Sequence, residues 1–266
     1  MATEPITLFD NGHHKCLMFD SLVIGEGVQS NQFLLVDGQH EALIDPGGDL
    51  TYTPLALAAS RFMNIRELDY VFASHQDPDI IGAIDRWLVH TRAKVVTSKL
   101  WARFLPHLVS EHVAKLVGGN VYDRIMAIPD AGANVRFGDT YVQCLPAHFM
   151  HSVGNIQFYD PIAKILFSGD LGASMGGPDE HLPVTDFDKH IPYMMDFHRR
   201  YIASQKVCRL WANMIREMDV QAIVPQHGKR FEGPEMVERF LNWVSSVECG
   251  IDLVTQDSYR PPVDYV

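Results

Sequence analysis

Four short segments place imidazole and carboxylate side chains where apolar stretches end: His75-Gln76-Asp77-Pro78-Asp79, His148-Phe149-Met150-His151, Ser168-Gly169-Asp170 and Gln226-His227-Gly228. Residues 75, 77 and 79 share a parity, so in extended or turning backbone their side chains point the same way. Taken singly, each has a plain structural role. An aspartate after a strand is more often a turn former or helix cap, and a lone histidine is more often a hydrogen-bonded core residue than a ligand. Taken together, four such segments in one chain point to a metal site. Strands would hold the ligands rigidly while the turns leave the ion accessible.

The elements that must position them follow from hydrophobic periodicity. "HKCLMFDSLVIG", "QFLLVDG" and "HEALIDPGG" read as short strands punctuated by Asp37-Gly38 and Pro46-Gly47-Gly48. "TPLALAASRFMNI" changes to helical spacing with Pro54 near its start, and "LDYVFASH" is a buried-type strand that ends on His75. "IGAIDRWLVHT" reads as a helix, "AKVVTS" as a strand, and "SKLWARFLPHLVSEHVAKLV" as mostly helical with a break at Pro106. In the second half, "VRFGDTYVQCLPAH" predicts two strands joined near Gly138, and "GNIQFYDPIAKILFSGD" a hairpin turning at Asp160-Pro161. A loop is expected from about Leu171 to Pro192, then helices in "FHRRYIASQKVCRLWANMIREM" and "PEMVERFLNWVSSV" around the strand "QAIVPQ". Strands lead each half and helices are interspersed, which predicts a layered α/β protein with two inner sheets and outer helices. No linker, charge run or repeat divides the chain, so residues 1–266 are expected to form one domain.

Composition narrows the function. The 266 residues carry a net charge of −11, which argues against nucleic acid or an anionic membrane as partner, since both select basic surfaces. The stretch MATEPITLFDNGHH lacks the features of a signal peptide, and no apolar run approaches a membrane span. The 4 cysteines are scattered without a CxxC pair, which suggests neither a disulfide framework nor a cysteine zinc site. A cytoplasmic protein is the plain expectation.

The order HxDxD, His151, Asp170, His227, with "ALIDPGG" upstream, resembles the metallo-β-lactamase superfamily, and within it the di-iron domain of flavodiiron proteins and stand-alone oxygen-binding di-iron proteins. The resemblance covers about residues 15 to 235 and implies a four-layer αββα sandwich. That family's first segment reads His-x-Glu-x-Asp-His, so His75 and Asp79 match, and Asp77 stands where the glutamate would be. "HSVGN" resembles the family's His-Thr-x-Gly-Ser turn, which implies His151 as the next ligand and His148 as a neighbour, the reverse assignment remaining the alternative. By the same resemblance Asp170 bridges two metals, His227 completes the second, and Asp45 orients a strand end or a ligand histidine.

The implied set of His75, Asp77, Asp79, His151, Asp170 and His227 balances nitrogen against carboxylate. Such a set suits a pair of iron ions, or manganese, whereas zinc generally takes more imidazole or thiolate. Ile80 stands where the family has another histidine. It either leaves coordination positions open for O2 or another small diatomic, or simply faces the core. Tyr201 resembles a flavodiiron tyrosine placed near the metals to donate a hydrogen bond to O2, with a packing role as the alternative. Met194, Met195 and Phe197 either form a dry wall around such a ligand or belong to the core.

Past His227 the chain reads as one helix and the tail "QDSYRPPVDYV", with no flavodoxin-type phosphate loop, so no FMN is expected in this chain. The leading expectation is a di-iron protein that binds or activates O2 as an oxygen sensor or signalling protein, dimeric, serving a chemoreceptor. The alternatives are an O2 or NO reductase fed by a separate electron-donor protein, and a dinuclear zinc hydrolase using metal-bound hydroxide.

Overall fold

The computed structural model describes residues 4–177 and 179–262. Residues 1–3, 178 and 263–266, which fall in the N-terminal stretch, the loop and the tail read above, lie outside the described residues. Two sheets stack face to face. The first runs in chain order: β1 (Ile6–Asp10), β2 (His14–Phe19), β3 (Gln32–Asp37), β4 (His40–Ile44), β5 (Tyr70–Phe72), β6 (Lys94–Ser98) and β7 (Ile125–Ile128). Its first four strands are antiparallel neighbours in chain order, and β4 to β7 are parallel because helices intervene. Those helices are α1 (Asp49–Ala59), α2 (Pro78–Ile81), α3 (Ile84–His90), α4 (Lys99–Ala102) and α5 (Glu111–Val117).

The second sheet has the order β13-β12-β11-β10-β9-β8, with β8 (Ala133–Phe137), β9 (Thr140–Pro146), β10 (Ile156–Asp160), β11 (Ile165–Phe167), β12 (Ala222–Val224) and β13 (Phe231–Glu232). Helices α6 (Phe187–Tyr201), α7 (Gln205–Arg216) and α8 (Pro234–Ser246) cover it.

Alternation along the strands sorts side chains into three cores. Cys16, Met18, Phe33, Leu35, Phe72 and Val96 meet Cys144, Ile156, Phe158 and Phe167 between the sheets. Leu17, Phe19, Leu34, Leu43 and Val71 face the outer helices through Leu55, Ile80 and Trp87. Leu166 and Ile223 face Met194, Trp211 and Phe240 on the other side. The chain is therefore the four-layer α/β sandwich expected from the sequence. None of the described helices is long and apolar enough to cross a membrane.

Several elements differ from the sequence expectation. The expected loop to Pro192 ends sooner, because Asp186 accepts from the Lys189 N–H at 3.3 Å and starts α6 at Phe187, leaving Pro192 inside the helix. The single helical stretch after it breaks between Tyr201 and Gln205. Helix α1 begins at Asp49, so Pro54 lies inside it rather than near its start. Strands β1, β7 and β13 have little pattern of their own and form by pairing with neighbours.

Candidate metal centre

Each candidate residue sits just beyond the end of a strand. β5 delivers His75, and its backbone is tied across the sheets where Ile156 N–H donates to Ser74 O at 3.0 Å. Asp77 precedes the one-turn α2, with Pro78 at its first position, where a missing N–H costs nothing. The loop between β9 and β10 carries His151, with φ +68° there and +66° at Phe149. Two non-glycine residues in the left-handed region mark a backbone held by its surroundings rather than by preference. Asp170 follows β11, and His227 follows β12 before Gly228, whose φ is +76°. A side chain on Gly228 would strike Ser174, so the turn that aims His227 requires glycine there.

These turns bring His75, Asp77, His151 and Asp170 together, with ligand atoms all within 4.8 Å of one another. Asp77 Oδ2 lies 2.8 Å from His151 Nε2 and 3.6 Å from His75 Nε2. Asp170 Oδ2 lies 3.7 Å from each of the same two nitrogens. The other oxygen, Oδ1, faces away from this group and stands 3.6 Å from His227 Nε2, which is 3.4 Å from Asp79 Oδ2. Asp170 thus presents one oxygen to each of two donor groups. Atoms that share one cation at ordinary bond lengths lie roughly 3 Å apart, so the first group has suitable dimensions, and in the second His227 stands within such reach of both carboxylates.

Neighbours fix the orientations. His227 Nδ1–H donates to Gln29 O at 2.6 Å, which directs Nε2 inward. His75 Nδ1 pairs with Ser74 Oγ at 3.0 Å, and Asp45 Oδ1 accepts the Ser74 N–H at 2.8 Å. Asp45 therefore supports the strand end that carries His75, from a backbone at φ +47°. Burial pushes the Asp45 carboxyl up to about 6 against the Ser74 N–H.

The donor set is left incomplete by protein groups alone. His75 Nε2 and Asp170 Oδ1 are buried without a hydrogen-bond partner, an arrangement that costs free energy unless something binds there. Electrostatics point the same way. Hydrogen bonds from His151 and His75 hold Asp77 far below the usual carboxylate range, despite burial. Burial opposes charging His227, yet Asp79 and Asp170 raise it to about 9. Burial opposes charging His75 as well, yet Asp170, Asp77 and Asp45 together raise it above its ordinary value. Three carboxylates converge on this point, and only positive charge stabilises such a group. The residues fit a pair of divalent cations.

A cavity of about 510 Å³ opens onto the cluster, lined by Asp77, Asp79, His151, Asp170 and His227, with Phe197 and Tyr201 from α6. The Tyr201 ring stands 5.3 Å from the His151 ring and stacks on Phe197 at 4.8 Å. Val28, Met175, Asp196 and Arg200 complete the lining and escaped the sequence reading. Asp196 and Arg200 are spaced like Phe197 and Tyr201 at i,i+4, a signal that becomes visible once helix is drawn through 187–201.

Of the proposed dry wall, Phe197 lines the cavity, whereas Met194 is core and Met195 lies against a different groove beside Trp243. Ile80 is wholly buried among core side chains, which is the packing role weighed above. His148 stands apart from the cluster, its Nε2 paired with Asp130 O at 2.8 Å. His198 is structural: its Nδ1–H donates to Met194 O and its Nε2 accepts the Gly172 N–H, while burial lowers it to about 4.

The fold and this cluster define a metallo-β-lactamase-type domain with donors for two metals. The family described as "ODP family beta lactamase" matches residues 28–228, and the chain belongs to it. Two solved structures of a chemotaxis sensor, ODP, are 36% identical to it. One, described as its peroxy diiron species, superposes with TM-score 0.83 over 97% of this chain and 100% of the other. The second, an apo state from T. denticola, gives 0.82 over 96% and 99%. A mutant flavo di-iron protein of Thermotoga maritima shares the fold at 18% identity, TM-score 0.73, over 90% of this chain and 60% of its own. An uncharacterized protein of Methanocaldococcus jannaschii is 23% identical over 220 residues, and the match spans about half of that relative, 53% of its length.

Proposed function

We propose that the chain is a di-iron protein that binds O2 and reports it, an oxygen sensor built from one metallo-β-lactamase-type domain. The observation that carries this reading is the 36% identity, over nearly the whole of both chains, to the chemotaxis sensor ODP, one structure of which is described as a peroxy diiron species. In this reading His75, Asp77 and His151 would hold one iron, Asp79 and His227 the other, and Asp170 would offer one oxygen to each. A ferrous pair supplies the electrons and open coordination positions that O2 binding requires.

The chain's own residues set the conditions. Asp77, one methylene shorter than the family's glutamate, directs only Oδ2 at the two histidines, because Gln76 Nε2 donates to its Oδ1 at 2.7 Å. Ile80, buried in the core, supplies no donor, so Asp79, Asp170 and His227 are the side chains that would face the second ion. Phe197 and Met175 give the cavity an apolar side suited to a small diatomic, and the Tyr201 hydroxyl is the hydrogen-bond donor we assign to it.

The test is metal analysis of protein purified without added metal, then anaerobic ferrous loading and exposure to air. About two irons per chain and a new visible absorption band on O2 addition are expected. Bound zinc, an unchanged spectrum and turnover of an ester would overturn the reading.

A further inference from the structure

Behind the loop that carries His151 lies a second, larger cavity of about 720 Å³. Ile125 and Ala127 of β7 and Leu100 of α4 line it on one side, and Phe149 and Val153 of the loop on the other. Phe149 and Val153 are about half exposed, at 47% and 50%, so the groove is an open apolar surface. Lys99 and Arg103 stand on its rim one helical turn apart, outnumbering the single carboxylate of the lining, Asp130; Arg103 lies over the Phe104 ring at 4.9 Å, and neither cation forms an ion pair with a carboxylate among the described residues. In a chain of net charge −11, a net positive rim beside an apolar groove complements a segment that is both acidic and apolar. β7 ends its sheet, with β6 on one side and no strand on the other among the described residues. Ile125 and Ala127 share a parity, so an extended segment laid along β7 would send alternate side chains into the same groove.

The helix that lines this groove, α4, is linked to the metal centre through Trp101, which points away from the groove lining toward the β9–β10 loop. Trp101 Nε1–H, on α4, donates to Ser152 Oγ at 3.0 Å. The Ser152 hydroxyl donates to Gln76 Oε1 at 2.8 Å, and Gln76 Nε2–H donates to Asp77 Oδ1 at 2.7 Å. An indole N–H only donates and a carboxylate only accepts, so the chain runs in a single direction and fixes the Gln76 amide. The packing is equally close: a Cβ on Gly154 would lie 2.8 Å from Leu100 and 2.9 Å from the Trp101 indole nitrogen.

We propose that this groove is the output surface of the metal centre. An extended, acidic and apolar segment of a partner protein docks there, and the Asp77–Gln76–Ser152–Trp101 chain couples docking to the metals. The proposal rests on the metal reading above and names the surface through which that site is read. Asp77 Oδ2 would take part in holding a cation, and its Oδ1 bond to Gln76 would then carry any change in that carboxylate to Ser152 and α4. Coupling of this kind is reciprocal, so docking must also change metal affinity.

The test uses ¹⁵N-labelled full chain, metal-free and loaded with zinc as a diamagnetic substitute, titrated with a peptide of alternating Glu and Val. The Trp101 indole signal should move on zinc loading and again on peptide addition. Saturable shifts should be confined to α4, β7 and residues 148–154, with several-fold different affinity in the two metal states. Lys99→Glu with Arg103→Glu should weaken the peptide at least about tenfold while leaving zinc stoichiometry unchanged. Trp101→Phe should keep peptide binding and erase the difference between metal states. No saturable shifts, equal binding of a Lys/Val peptide, or self-association that protects the same residues would overturn the proposal. So would a Trp101→Phe chain that keeps the difference. A ferrous chain without an O2-dependent spectrum would defeat the oxygen reading while leaving these peptide results standing.

Discussion

Two buried clusters of histidine and aspartate occupy opposite ends of the sandwich, and they are built on opposite rules. At the metal end, His75, His151, His227 and three aspartates converge with partnerless buried atoms and an adjoining cavity. At the far end, His14 of β2 donates through Nδ1 to Asp37 Oδ1 at 3.1 Å and pairs through Nε2 with Asp160 Oδ2 at 2.7 Å. The Cys16 thiol also donates to Asp160, at 3.0 Å, and the other Asp37 oxygen accepts the Asp139 N–H. No side-chain atom of His14, Asp37 or Asp160 is left without a partner, and β10 carries Asp160 across from the second sheet to meet β2 and β3 of the first. The far cluster is a closed latch between sheets, whereas the metal cluster is an unfinished cage. Similar residue types therefore do different work according to whether their polar atoms satisfy one another.

The comparison breaks most sharply with Asp170→Ala. Removing the residue that faces both donor groups should abolish binding of the second metal, a larger loss than the about 10–100-fold typical of outer hydrogen-bond partners. Because three carboxylates crowd there, the metal-free variant should keep or gain stability. Metal titration alongside denaturant unfolding checks both halves. His14→Ala should do the reverse, costing about 3–5 kcal/mol by leaving two buried carboxylates uncompensated, with metal stoichiometry unchanged. If Asp170→Ala destabilised the metal-free chain as much as His14→Ala, the distinction would collapse.

Acidity separates the clusters next. Burial opposes charging His14, but Asp160 and then Asp37 raise it above its ordinary 6.5. That pairing contributes stability fully present below pH 6.5 and lost as pH rises through the folded value. The stability gap between wild type and His14→Gln, measured by urea unfolding of the metal-free chain, should narrow steadily above pH 6.5. A gap that widened with pH would contradict a charged His14. The smallest effect is expected from Cys16→Ser, whose hydroxyl can still donate to Asp160. A change within about 1 kcal/mol is predicted by the same measurement.

The two clusters also differ in how legible they were. The metal cluster announced itself because each piece follows an apolar strand and sits at a turn, so its residues stand out locally. His14, Asp37 and Asp160 sit among strand residues of ordinary pattern, 146 positions apart at the extremes, and nothing local joins them. The chain from Trp101 to Asp77 was illegible for the same reason, since it links α4, the β9–β10 loop and the β5–α2 turn. Tyr201 could be named from resemblance, but its neighbours Asp196 and Arg200 required a helix that the prolines had disguised.

The sequence by itself determined the layers, through the switch between periods of two and of helical spacing, and it determined which strand ends carry donors. It could not say how those ends meet, because distances between segments far apart in the chain depend on sheet order and register. Only the tertiary structure decided that Asp170 turns one oxygen to each group, that His148 points away to Asp130, and that Ile80 enters the core. Local pattern fixes what a residue can do, and packing fixes what stands close enough for it to act upon.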